Sequence, residues 1–170
     1  MSQPLYLSVN GATQGKISSG AFTADSVGNV YQDGHEDEIF CQALSYHVTL
    51  PRDPQSGQVT GTRVHMPASF VKYVDKSSPL LLTAITSGEV LQIKADLYRT
   101  STAGKQEKYY TVTFTDAILV DLRCYTPEAL DPRNANYRDM EEVGFTYRAV
   151  AVTHEKAGTS GNDDWRKPKS

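Results

Sequence analysis

The side chains able to do chemistry are scattered along the chain. The four histidines are His35, His47, His65 and His154, and none pairs with another at zinc-ligand spacing. Cys41 and Cys124 form no C-x-x-C pair and are too few for a disulfide scaffold. Both are expected as buried free thiols; a bridge would require close Cα atoms. The run HEDE, His35 to Glu38, has oxygen ligands for a divalent cation, but it also has the composition of a solvated loop before a strand, and that reading is taken. Asp75-Lys76 resembles a charged catalytic pair. Both stand at a helix entrance, where an acid complements the positive end of the helix dipole. Tyr109-Tyr110 could stack bases, yet no basic residues interleave with them, so packing is expected. RKPK, Arg166 to Lys169, reads as a solvated tail. An enzyme would have to assemble its site from groups such as His47, His65 and Asp116. No G-x-S-x-G, P-loop or G-x-G-x-x-G is present to support one. The expectation is no catalytic, cofactor or metal site.

The elements that must carry these residues are mostly strands. A chain of 170 residues suits one domain with a real core, taken here as residues 1–170. Net charge −3 argues against a general nucleic-acid binder, which usually shows a basic patch. No apolar run approaches the ~18 residues of a membrane span. The first thirty or so residues lack a basic start followed by an apolar block, so no signal peptide is expected.

Alternation places Leu5, Leu7 and Val9 on one strand face. The same rule groups Phe40, Leu44, Tyr46 and Val48, opposite Ile39, Cys41, Ala43, Ser45 and His47. It also groups Leu91, Ile93, Ala95 and Leu97; Tyr110, Val112 and Phe114; Ile118, Val120 and Leu122; and Val143, Phe145, Tyr147, Ala149 and Ala151. The change of phase between Phe114 and Ile118 predicts a bulge or bend. Gly104 marks a hairpin turn. Residues 50–62, rich in proline and glycine, predict an extended loop or arm. Residues 126–136 predict a second interruption, with a turn of helix after Pro127. Residues 155–170 form a C-terminal tail whose polar stretch from Lys156 is expected to be mostly mobile on its own, although Trp165, costly to leave in water, gives it an anchored look.

One helix interrupts the strands. Ser78 is expected as its N-cap, Pro79 as its first residue and Gly88 as its left-handed stop. Leu81, Ala84 and Ile85 share a face, flanked by Leu80. A helix this short must pack on something apolar. The fold expected is all-β: a small, mostly antiparallel β-barrel with one short flanking α-helix at about 78–87.

The stretch FVKYVDKSSPLLLTAITSGEVLQIKADLYR, Phe70 to Arg99, resembles the Hcp family, the tube protein of the bacterial type VI secretion system. Lys72, Asp75, Lys76, Ser78, Pro79, Leu80, Leu81 and Gly88 stand at the places of that family's K-x-x-D-K-x-S-P entry, Leu-rich helix and glycine. YLSVNG, Tyr6 to Gly11, and GHEDEIFCQALSYHV, Gly34 to Val48, are similar to its first strands, and DDW, Asp163 to Trp165, to the tail of one branch. Residues 50–62 and 126–140 depart from any firm pattern.

The resemblance implies a structural role and no enzyme. Six copies would form a ring, and rings would stack head to tail into a tube with a spike protein at its tip. A contractile sheath would expel the tube, with effector proteins in its lumen. The protein would leave the bacterial cytoplasm through the machine itself, with neither nucleic acid nor membrane insertion involved. The alternative is a small barrel that holds an apolar ligand and has no secretion role.

Overall fold

The computed structural model describes residues 4–30 and 33–167. The chain begins with β1 (Leu5–Gly11) and β2 (Gly15–Lys16), then a short helix α1 (Ala24–Val27). β3 (Ile39–Ser45), β4 (Val48–Thr49), β5 (Val64–His65) and β6 (Ala68–Tyr73) follow. Helix α2 (Ser78–Ser87) leads to β7 (Leu91–Thr100) and the long β8 (Gln106–Tyr125). The chain finishes with β9 (Met140–Thr146), β10 (Ala149–His154) and β11 (Thr159–Asp164).

The strand pairings are antiparallel, and the main sheet closes on itself. β7, β1, β3, β6 and β9 are successive neighbours, and β8 pairs with both β7 and β9. It manages both because it bends. Its first half runs beside β7 and β10, and Ile118 to Tyr125 run beside β9. The bend is at Asp116, a non-glycine residue with φ of 52°. Arg148 secures the corner: its backbone N–H donates to Thr115 O and its guanidinium to Asp116. β10 and β11 continue outward from β8 as a flange.

The bend re-phases the alternation. Val112 and Phe114 point into the core, and beyond the bend so do Ala117 and Leu119. A second register shift at Leu119/Asp121 returns Leu122 to the core side. The expected face Ile118, Val120, Leu122 is thus corrected, and Val120 is exposed. A bulge at Cys41/Ala43 splits β3 in the same way, so Ile39 and Cys41 are buried and Leu44 packs beside them. The run 143–151 is two strands; Val143, Phe145 and Tyr147 are buried, then Val150 replaces Ala149 and Ala151. A bulge inserts one residue, and with a side-chain period of 2 that inverts every later position.

Helix α2 places Leu81 and Ala84 in the core cluster, with Leu80 and Ile85 against it. Gly88 ends it in the left-handed region, at φ 67° and ψ 32°. Its beginning differs from expectation. The cap position is Ser77, whose side chain makes no cap bond to the helix. Asp75 instead accepts the Ser77 N–H at 2.9 Å, and Ser78 Oγ accepts the Asp75 N–H at 3.1 Å. Beneath this entrance lies Lys72. It shares the inward face of β6 with Ala68 and Phe70 and is wholly buried. Its ammonium reaches Asp75 at 3.0 Å and Glu141, its cross-strand neighbour on β9, at 2.9 Å. It also donates to Tyr73 O and Ser78 Oγ. Buried charges survive in this manner, paired and hydrogen-bonded.

A second aromatic layer covers the outside of β1, with Tyr6 and Phe22 buried and Phe40 and Tyr98 against them. In the 126–136 interruption the helical turn lies at Pro132–Asn134, later than expected, because Asp131 caps it by accepting the Arg133 N–H. Cys41 is buried and free as expected; Cys124 is free but exposed, on an outward position of β8.

Candidate functional site

β4 and β5 form a two-stranded sheet of their own, outside the barrel. Beyond them the chain continues as an arm, with a bridge at Arg52↔Val59 and a turn in which Gly57 N–H donates to Asp53 O. The arm exposes apolar side chains, among them Leu50 at 50% and Val59 at 62%. Isolated apolar side chains are ordinary on a surface; these stand on one arm outside the barrel's ladder.

The base of the arm is tied to the end of the chain. Arg63, one residue before β5, donates from Nε and Nη2 to the two oxygens of Asp163, at 2.7 and 3.0 Å. Its Nη2 also reaches Asp164 O at 3.1 Å and Lys167 O at 2.9 Å. His65 Nε2 lies 2.8 Å from the same carboxylate, and His65 Nδ1 lies 2.8 Å from the Tyr147 hydroxyl. Trp165 packs beside His65 and donates its indole N–H to Tyr147 O. The Arg63 hydrogen bonds hold the Asp163 carboxyl at about 2. Burial pushes the Tyr147 phenol up to about 12, which keeps it protonated. The tail, expected to be mostly mobile on its own, forms a strand over 159–164, and Trp165 anchors it. The second half of the RKPK run, 168–169, lies outside the described residues, as does 170.

Between the arm and the flange runs a groove of about 520 Å³, lined by Tyr46, Val48, Leu50, Val150 and Val152, with Arg63 and Asp163 bordering it. Its walls are mainly apolar, and its charged groups are already spent on each other. It can grip an apolar side chain; it presents no free nucleophile or base.

The other residues singled out from sequence are not gathered together. His35 stacks on Tyr6 at 3.8 Å with Nδ1 3.2 Å from Glu38, so it belongs to the outer aromatic layer. His47 is exposed at the arm's root. His154 abuts Tyr109 and Tyr110 and accepts the Ala157 N–H. Asp116 is spent on Arg148 and Gln92. Arg99 lies over the Tyr109 ring at 4.8 Å, a cation–π contact in place of base stacking. Sequence reasoning assigned no role to Arg63 and Asp163, which meet across a hundred residues; only the DDW stretch hinted at the latter. The burial of Lys72 had a local signal, since alternation from Phe70 puts it on the inward face.

The comparisons with known proteins agree with this architecture along its length. Residues 6–154 match the family model described as type VI secretion system effector, Hcp. The chain is 54% identical to the major exported protein of Pseudomonas aeruginosa, over 99% of this chain and 98% of that one. A crystal structure of an Hcp protein superposes with a TM-score of 0.93 at 44% identity, covering 98% of this chain and all (100%) of the other. The secreted protein Hcp3 from Pseudomonas aeruginosa gives 0.82 at 46%, with the same coverage. With a closed antiparallel barrel, the flanking helix α2 and a matched family model, the chain belongs to the Hcp family of exported type VI secretion proteins.

Proposed function

We propose that this chain is one subunit of the inner tube of the type VI secretion system. Six copies close into a ring, rings stack head to tail, and the contractile sheath expels the stack with a spike protein at its tip. Effector proteins travel in the lumen. The subunit leaves the cytoplasm through the machine and works by shape, without bond-making. The observation that carries this reading is the near full-length likeness to Hcp chains. The exposed apolar arm supports it, since such a surface is covered when another copy packs on it. A head-to-tail contact that closes gives a ring with two unlike faces, and those faces can stack. The barrel interior is filled by inward side chains, which speaks against a ligand-holding module.

Light scattering tests the reading. Six copies of 18.7 kDa give a particle of about 112 kDa. A mass of one subunit at every concentration would overturn it. The arm is tested by removing 52–60. Thr60 N–H already donates to Pro51 O at 2.9 Å, so the ends are adjacent and the excision closes cleanly. The expected product is a folded protein whose rings stack poorly in negative-stain images; normal tubes would remove the arm from the stacking contact.

A further inference from the structure

We infer that Asp163 is a positioning residue for the arm: the C-terminal strand clasps the arm's base through Asp163, Arg63 and His65 and thereby fixes the arm's direction. The functional consequence rests on the reading of the arm as an assembly surface; the clasp does not.

The argument starts from the sheet. β4 and β5 pair over two positions each and are not joined to the barrel's ladder. A lone two-stranded ribbon in water is marginal. The bonds farther out, Asp53 N–H to Gln58 O and Thr60 N–H to Pro51 O, lie within the arm and cannot orient it. Beyond its two chain junctions with the paired strands β3 and β6, what ties its base to the molecule is side-chain chemistry. Arg63 meets Asp163 in a two-point fork, the geometry that fixes direction as well as distance. His65, two residues further on, takes the same carboxylate and roots itself on Tyr147 in the core. Arg63 further engages Asp164 O and Lys167 O, so it grips the backbone that follows Asp163. The Arg63 side chain is 9% exposed and that of His65 is 2% exposed, so water competes little for either. Asp163 is the shared acceptor. Without it, the guanidinium and the imidazole both lose their charged partner, and the ribbon is left to its own few bonds.

The test uses the full chain with D163N, which keeps size and removes the charge. Amide exchange is read at the bonded arm amides Asp53, Gly57 and Thr60 and at Met66, whose N–H donates to His47 O. Exchange there is expected to quicken by about ten- to a hundredfold, the factor for losing charge-assisted hydrogen bonds. The amides of β1 and β7 should keep their parent rates. Trp165, the one tryptophan, should shift its emission to the red as the tail loosens. D131N is the control, because it removes the carboxylate of another Arg–Asp fork, Asp131–Arg133, that is local to its own turn. Arm exchange in D163N equal to that of D131N would overturn the clasp. Should D163N not fold, R63M gives the same reading from the other side, and unchanged arm exchange in R63M would overturn it equally. Faster arm exchange with normal ring stacking would keep the clasp and refute the arm's role in assembly.

Discussion

Replacing Lys72 by methionine is the most demanding test of how this barrel tolerates charge inside it. The Lys72 side chain is 0% exposed, and those of its partners Asp75 and Glu141 are 2% and 3% exposed. Methionine fills most of the volume, so the loss is electrostatic and not a cavity. Two carboxylates then face each other without a cation. Asp75 keeps the Ser77 N–H and Glu141 keeps the Ser78 hydroxyl, so neither is bare. Breaking a buried pair from one side costs about 3–5 kcal/mol, a large share of a typical ~5–15 kcal/mol total. At roughly 2–4 °C per kcal/mol for a chain of this size, the melting temperature should fall by about 6–20 °C. Urea midpoints and melts, at one fixed protein concentration so that association is constant, measure it. The second arm of the experiment is K72M/E141M. Removing one of the stranded carboxylates should return part of the loss, so the double variant should be more stable than K72M alone. A K72M deficit below about 1 kcal/mol, or a double variant no more stable than K72M, would refute the reasoning.

Two further predictions follow from perturbed ionisations. The Arg63 hydrogen bonds hold Asp163 at about 2, below the usual carboxylate value near ~3.9, so its stabilisation is complete above pH ~4 and is lost as pH falls toward 2. With its partial exposure this amounts to about 1–2 kcal/mol, and Trp165 fluorescence against pH should show it in the parent and not in D163N. Burial pushes the Cys41 thiol up to about 12, whereas Cys124 is exposed. A thiol reagent should therefore titrate one cysteine per native subunit and both after unfolding; rapid modification of C124S would contradict this.

Alternation, helix punctuation and turn residues are local properties, and they alone determined the strand-rich class, the helix over 78–87 with Gly88 as its stop, and the hairpin at Gly104. Periodic burial of alternate side chains needs no knowledge of the partner strand. A change of phase between Phe114 and Ile118 announced the bend at Asp116, but the rule failed at the bulges Cys41/Ala43 and Leu119/Asp121, because a bulge is decided by the opposite strand's register. Local capping preference pointed to Ser78, yet the buried ammonium of Lys72 drew the Ser78 hydroxyl and Asp75 into one network. The tail read as mobile because its composition is polar. Its order comes from the hairpin with β10 across the Gly158 turn, whose outer strand is polar and so shows no apolar alternation, and from Arg63, a hundred residues away, a separation that leaves no mark on composition or period. Sequence by itself therefore set the kind of elements and their order. Closure of the barrel, the phase of each strand beyond its bulges, and the coupling of arm to tail were decided only in three dimensions, where hydrogen-bonding and charged groups must find partners that the chain does not place nearby.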